Sequence, residues 1–236
     1  MTSNAVKRII NKDMKELKKM DLESLGIYIE FDEDNVLSAK SIIIGPKNTP
    51  YENGILTFII EFPKDYPFSP PKISYISKSK NRIHPNLYVG RSKDNYYGKV
   101  CLSIINTWSG PKWTSVMHIG SVLLSIQSLL NENPLHNEPG LENEKGFRND
   151  TYNSIVLHDT YQYLILNNYF NIDSRFICFD KKIKQYFQTN KNDILKKLDE
   201  LCIQYPKKIR VNLNIYNLSV DFDYIKIKNL ITNLNN

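Results

Sequence analysis

The sequence has no run of about 18 apolar residues, and it has few cysteines. Without such a run, no membrane span is expected. The three cysteines among the 236 residues are Cys101, Cys178 and Cys202. Their odd number and wide spacing argue against a disulfide framework or a zinc site. The N-terminal segment lacks the apolar core of a secretion signal. We therefore expect a reducing compartment, the cytoplasm or the nucleus, in which a thiol stays free.

A nucleic-acid-binding motif is also lacking, although the net charge is +6 and 24% of residues are charged. Basic residues are interleaved with acidic ones, and no aromatic-glycine RNA motif occurs. We expect no nucleic-acid partner, but a basic nucleic-acid-binding domain stays open as an alternative, with affinity that falls steeply with salt. One local concentration of positive charge comprises Lys7, Arg8, Lys12, Lys15, Lys18 and Lys19.

Apolar periodicity predicts an α+β fold. Helical spacing indicates an amphipathic N-terminal helix over residues 5–20. Alternating apolar residues then predict a four-stranded antiparallel meander. Its strands are expected near residues 27–31, 36–44, 56–62 and 72–76.

Two further helices are predicted after the meander. One has a buried stripe and a cap at Thr114 or Ser115, and the other runs from Tyr152 to about Phe170. The stripe of the first is formed by Ile119, Val122, Leu123, Ile126 and Leu130.

Residues 171–236 are expected to form a mainly helical C-terminal extension. Apolar spacing predicts a helix near 194–205, a short strand near 211–215 and a last helix near 227–234. No flexible linker precedes residue 171, so we expect the extension to pack on a core domain of residues 1–170.

Cys101 follows a glycine-containing turn, and Asn86 is fixed next to Pro85. A thiolate that attacks an acyl group needs a donor for the developing oxyanion, and an amide suits that role. The alternative is that Cys101 is a small buried apolar residue. No histidine lies next to Cys101 in sequence, which disfavours a cysteine–histidine relay. His84 and Pro85 are expected to be structural.

The ordered motifs resemble the ubiquitin-conjugating enzyme family over about residues 5–160. They are the proline-rich run Phe62 to Lys72, His84-Pro85-Asn86, Gly98 to Leu102, and Trp113. Two narrower segments resemble the large Z-type and BRUCE-type members of that family. These segments are Asn106 to Trp113 and Asn131 to Gly140.

The resemblance implies a UBC-like fold and a thioester enzyme. Cys101 would receive ubiquitin or a ubiquitin-like protein from an activating enzyme, then pass it to a lysine of a protein substrate or to a ubiquitin ligase. No cofactor is expected in this chain, because ATP is used by the activating enzyme. Asn86 would support the oxyanion or the loop. Phe68 is a candidate ligase contact, and Lys12, Lys15 and Lys19 are candidate contacts for the activating enzyme.

The sequence departs from the family pattern at two places. Asn86 and Cys101 are 15 positions apart, a longer separation than in minimal members. We interpret the excess, within Tyr88 to Gly98, as a surface insertion, which costs little loop-closure entropy. The second departure is in the loop that we call the gate loop. Many members of the family carry an aspartate there that positions the incoming lysine, and this chain has His136-Asn137-Glu138 instead. Asn137 could orient an amine and Glu138 or His136 could accept its proton, or all three could simply cap the loop.

One alternative within the same fold is a non-catalytic variant that binds ubiquitin or a ligase. Such variants typically lack the cysteine, so Cys101 argues against it. The sequence leaves open which modifier is carried, the acceptor and the partner ligase.

Overall fold

The structure, a computed structural model, describes residues 3–90 and 97–233. Its helices are α1 (Asn4–Arg8), α2 (Met14–Lys19), α3 (Ile119–Leu129), α4 (Phe147–Asp159), α5 (Asn168–Phe170), α6 (Asp180–Gln204) and α7 (Tyr224–Thr232). Its strands are β1 (Ile27–Phe31), β2 (Ser38–Ile44), β3 (Ile55–Glu61), β4 (Lys72–Ile76), β5 (Tyr97–Lys99), β6 (Ile209–Leu213) and β7 (Leu218–Phe222). No helix in these ranges is long and apolar enough to cross a membrane.

The main sheet is antiparallel, with β1 to β5 in sequence order. The predicted α+β class and four-stranded meander are confirmed. The short strand β5 was not predicted, because three residues are too few to show alternation. It pairs with β4 through Ser74 opposite Lys99 and Ile76 opposite Tyr97. This pairing anchors the segment that leads directly into Cys101.

The N-terminal helix is interrupted by a π-helical turn, Ile9–Asp13, between α1 and α2. Ile9 is buried, whereas Ile10 is exposed. The turn also contains the fully buried carboxylate of Asp13. Its Oδ2 lies 3.0 Å from Arg8 Nε, and its Oδ1 accepts the Tyr66 hydroxyl at 2.5 Å. Asp13 therefore ties the first helix to the proline-rich run.

The stripe of α3 is buried as predicted, but the predicted cap at Thr114 or Ser115 is wrong. The helix begins four residues later than Ser115, at Ile119, and the Ile119 N–H donates to Asp13 Oδ1 at 3.3 Å. A carboxylate near a helix N-terminus satisfies one of its free donors. The cap comes from a residue 106 positions away, so the local sequence could not show it.

Helix α4 begins at Phe147, five residues before the predicted start at Tyr152. Gly146 precedes it with φ of 71°, a backbone conformation that glycine adopts without steric cost. A π-helical segment, Thr160–Asn167, continues α4 into α5. The predicted end near Phe170 agrees with the end of α5.

The C-terminal extension covers the outer face of the main sheet. Phe176, Phe179 and Ile183 are buried against three isoleucines of β2, β3 and β4. These are Ile42, Ile55 and Ile76. The sheet therefore has apolar contacts on both faces.

The extension also contains a two-stranded antiparallel sheet, β6 and β7. Strand β7 was not predicted, although Leu218, Val220 and Phe222 alternate. The ring of Phe222 stacks on His158 of α4 with centroids 4.8 Å apart. The connection between β6 and β7 contains Tyr216, at φ 55° and ψ 14°. This turn carries the Tyr216 side chain to the region of the predicted active site.

Candidate active site

Cys101 follows a short pairing between the segments on either side of the predicted insertion. Leu87 bridges Val100, and the Tyr88 N–H donates to the Lys99 carbonyl at 3.0 Å. A Cβ on Gly98 would lie 1.7 Å from the Tyr88 carbonyl oxygen, so only glycine fits this approach. Of the insertion, residues 91–96 lie outside the described residues.

Asn86 and Cys101 are brought into direct contact. The Cys101 N–H donates to the Asn86 carbonyl at 2.8 Å, and Asn86 Nδ2 donates to the Cys101 carbonyl at 2.8 Å. Asn86 is buried. The amide thus holds the backbone of the cysteine in this arrangement, and the contact supports the loop.

His84 is fully buried, and both ring nitrogens have partners. Nε2 donates to the Leu129 carbonyl at 2.9 Å, and Nδ1 accepts the Asn86 N–H at 2.9 Å. The tautomer follows, since a carbonyl only accepts and an N–H only donates. Burial lowers the pKa of His84 to about 4. The ring is therefore neutral at pH 7 and organises the turn.

Thr107 is a site residue that the sequence reasoning missed. Its hydroxyl oxygen accepts the Leu102 N–H at 2.9 Å, and its hydroxyl donates to the Val100 carbonyl at 2.8 Å. These bonds fix the residues on both sides of Cys101. Thr107 lies in the segment that carries the Z-type resemblance, which was the available signal.

Cys101 is 1% exposed, which agrees with the alternative that it is a small buried residue. Like its neighbours Val100 and Leu102, Cys101 is among the buried apolar residues of the core. Burial raises the pKa of the Cys101 thiol, and the cations of Lys99 and Arg82 oppose that rise. Burial therefore disfavours the thiolate, and the charges of two cations favour it.

Arg82 is a second residue that the sequence reasoning missed. The carbon of its guanidinium lies 3.7 Å from the centre of the Tyr88 ring and 4.4 Å from that of Tyr216. Its side chain also donates to the Pro85 carbonyl, and its backbone carbonyl accepts the Tyr152 hydroxyl at 2.8 Å. The cation is thus held in one place beside the His-Pro-Asn turn.

The three predicted gate-loop residues have different surroundings. His136 Nε2 donates to the Glu144 carbonyl at 2.8 Å, and Asn137 Nδ2 donates to the Pro134 carbonyl at 3.1 Å. Both are contacts that stabilise the loop. Glu138 accepts the Tyr216 hydroxyl and lies 3.9 Å from Arg82. It is the member of the three that joins the cluster around Arg82.

The candidate partner contacts lie on the surface. Lys12, Lys15 and Lys19 are exposed, and Lys19 pairs with Glu16 at 3.0 Å. Phe68 is 79% exposed. The rigid loop that carries it is anchored by Trp113, whose Nε1–H donates to the Pro67 carbonyl at 2.7 Å.

A metal site is not evident within residues 3–90 and 97–233. In these ranges no three histidine, cysteine, aspartate or glutamate side chains gather in a way that could hold an ion.

Relatives with similar sequences point to one family. Ubiquitin-conjugating enzyme E2 Z of Danio rerio is 42% identical over 111 residues, which are 46% of this chain and 32% of that protein. The Homo sapiens E2 Z is 41% identical over 111 residues, 46% of this chain and 29% of that protein. Ubiquitin-conjugating enzyme E2 2 of Candida glabrata is 37% identical over 123 residues, 51% of this chain and 65% of that protein. The chain thus spans about a third of the length of its Z-type relatives.

A solved structure and a family model extend the comparison. The E2 domain of a Toxoplasma gondii ubiquitin conjugating enzyme is 27% identical, with a TM-score of 0.49, covering 66% of this chain and 99% of that domain. A family model described as ubiquitin-conjugating enzyme matches residues 9–156. The match covers more than half of the sequence and spans every motif on which the resemblance was based. The chain therefore belongs to the ubiquitin-conjugating enzyme family.

Proposed function

We propose that Cys101 carries ubiquitin or a ubiquitin-like protein as a thioester. The Cys101 thiolate attacks the thioester carbonyl presented by an activating enzyme, a new sulfur–carbon bond forms, and the thiolate of the activating enzyme leaves. An amine of a substrate lysine, or a cysteine of a ligase, then attacks the same carbonyl and releases Cys101. Chemistry of this kind needs a free thiol, and a reducing cytoplasm or nucleus provides it.

The observation that carries this proposal is the double hydrogen bond between Asn86 and Cys101. The backbone pair and the amide contact, each 2.8 Å long, hold the cysteine against the His-Pro-Asn turn. Two cations, Lys99 and Arg82, act on the same thiol and favour its charged form. The hydrogen bonds hold the cysteine in place, and the two cations act against the burial that raises the pKa of its thiol.

The 1% exposure of Cys101 favours the competing function, a non-catalytic module that binds ubiquitin or a ligase. We favour catalysis because Asn86 and Thr107 hold the backbone around Cys101 and because two cations act on its thiol. The proposed reaction requires the sulfur to become exposed, on the timescale of loop motions.

A loading assay tests the proposal. The full chain is incubated with an activating enzyme, ATP and either ubiquitin or another ubiquitin-like protein. We expect an adduct on a non-reducing gel that thiols remove. In Cys101→Ser, whose hydroxyl would form an ester, we expect an adduct that thiols leave intact. If the wild-type chain forms no adduct with any modifier, while a known conjugating enzyme is loaded in parallel, the binding-module alternative stands.

A further inference from the structure

The C-terminal extension contacts the surroundings of Cys101 through the side chain of Tyr216. The turn between β6 and β7 has two residues in the left-handed region, Tyr216 at φ 55° and Asn217 at φ 53°. Non-glycine residues rarely adopt this conformation, and where they do, the surrounding structure must hold them. Here the ring of Tyr216 packs edge-on against Tyr152 of α4, with centroids 6.0 Å apart.

Tyr216 closes a cluster around the Arg82 cation. Its ring and the ring of Tyr88 lie on the guanidinium at 4.4 and 3.7 Å. Two aromatic faces around one cation are a favourable electrostatic arrangement. The hydroxyl of Tyr216 also donates to Glu138, which lies 3.9 Å from Arg82. One tyrosine therefore acts on Arg82 directly and through the carboxylate.

Arg82 lies beside the Cys101 segment, because it donates to the Pro85 carbonyl and the next residue, Asn86, donates to the Cys101 carbonyl at 2.8 Å. The charges of Arg82 and Lys99 oppose the effect of burial on the Cys101 thiol. Glu138 partly offsets the charge of Arg82. Tyr216 adds no charge of its own, because burial and its bond to Glu138 raise the pKa of its hydroxyl. The field at the sulfur therefore depends on where the guanidinium is held.

The extension touches the Cys101 segment at a second point. The guanidinium carbon of Arg175 lies 5.4 Å from the centre of the Tyr97 ring, in the strand that continues through Lys99 to Cys101. Arg175 is itself fixed by Asp173, at 2.6 Å. The extension thus contacts the Cys101 segment at Tyr97 as well as the Arg82 cluster through Tyr216.

We propose that Tyr216 is a positioning residue that makes the extension part of the thiol site, holding Arg82 where its charge stabilises the Cys101 thiolate. The consequence for acyl transfer rests on the proposed function. The effect on the thiol itself does not, because it can be measured without any modifier or activating enzyme.

The test is the pH profile of Cys101 alkylation by iodoacetamide in the full chain. Peptide mass mapping separates Cys101 from Cys178 and Cys202. The midpoint of each profile reports how readily the thiolate forms. The plateau at high pH reports how accessible the sulfur is. A change in access to the sulfur is therefore distinguished from a lost charge.

Four variants give the expected pattern. Arg82→Gln shifts the midpoint upward and slows alkylation at pH 7 by about three- to tenfold, whereas Arg82→Lys restores most of the rate. Tyr216→Leu, which keeps apolar packing on Tyr152, also shifts the midpoint upward and lowers the alkylation rate at pH 7, taken relative to its own plateau, by at least about twofold. Tyr216→Phe, which keeps the ring, gives a smaller shift in the same direction.

Matched controls are Arg148→Gln, which removes a positive charge paired with Glu144, and Tyr186→Leu, in α6, whose hydroxyl donates to Asn53. Both should leave the midpoint unchanged.

The proposal is overturned if Tyr216→Leu, folded by circular dichroism, has the wild-type midpoint, whether or not Arg82→Gln moves it. A chain that shows the predicted midpoints yet accepts no modifier would refute the proposed function and leave this inference standing.

Discussion

The side-chain amide of Asn86 donates to the backbone carbonyl of Cys101 at 2.8 Å. The family resemblance allowed two roles for this amide, support of the oxyanion or support of the loop. In the structure the donor is directed at the backbone of the cysteine, so the loop role accounts for the contact seen. The two roles predict different outcomes when the amide is removed.

Asn86→Ala should lower the free energy of unfolding by about 1–3 kcal/mol, because it leaves a buried carbonyl without its donor. Loading of Cys101 should fall with it. Urea denaturation measures the first effect. The matched control is Asn153→Ala. The Asn153 amide donates to the Glu132 carbonyl at a more exposed place, so its loss should lower the free energy of unfolding by less. Unchanged stability combined with slow acyl transfer would instead favour the oxyanion role.

The pKa of His84 predicts a pH dependence of stability. Burial lowers that pKa from 6.5 in the unfolded chain to about 4 in the folded one. As the pH falls below 6.5, His84 is protonated in the unfolded chain, whereas in the folded chain it stays neutral until about pH 4. Stability is therefore lost between pH 6.5 and 4, by about 3 kcal/mol from this residue.

The measurement is the unfolding free energy of the wild type and of His84→Gln at several pH values. Glutamine offers a donor and an acceptor but does not titrate in this range. We expect a shallower pH slope for the variant over this window, whatever its absolute stability. Parallel slopes would contradict the buried, neutral state of His84.

Charge reversal at Lys12, Lys15 and Lys19 should slow loading by the activating enzyme by about tenfold at low salt, and by less as salt rises. Complementary charge mainly speeds encounter, and salt screens it. The matched control reverses three lysines of α6, Lys184, Lys196 and Lys197, which changes the net charge equally. Equal slowing in both variants would mean that net charge, and not the first helix, is responsible.

Gly98→Ala should disrupt the hairpin that carries Cys101. The added methyl group would lie 1.7 Å from the Tyr88 carbonyl oxygen, so the backbone must shift, at a cost of about 1–3 kcal/mol in stability. Gly140→Ala is the control. Its φ is 85°, but a methyl group there meets nothing within 4 Å, so only the backbone strain of about 1 kcal/mol is expected. Thermal denaturation and loading distinguish the two.

The sequence predicted those parts of the fold that depend on local periodicity. Strands β1 to β4 and the buried stripe of α3 follow from apolar spacing alone. Strand β7 also had an alternating signal, in Leu218, Val220 and Phe222, which was overlooked. The cap of α3 by Asp13 joins residues far apart in sequence, and no local pattern could have indicated it.

The candidate site was also predicted only in part. Asn86 and Cys101 were found because their motifs resemble a family, and the structure brings them together. The cluster of Arg82, Tyr88 and Tyr216 was not predicted, because it joins a turn of the extension to a segment more than 100 residues earlier. Leu234, at the end of the predicted last helix, lies outside the described residues.

The most direct test of the central claim is to locate the acyl group after loading. All three thiols have a raised pKa, burial being the main cause, and Cys178 is the exposed one. A simple accessibility argument would therefore choose Cys178. Peptide mass mapping of the loaded chain under non-reducing conditions should instead find the modifier on the peptide containing Cys101, with Cys178→Ser loaded normally. A modifier found on Cys178, or loading that survives in Cys101→Ala, would contradict the account.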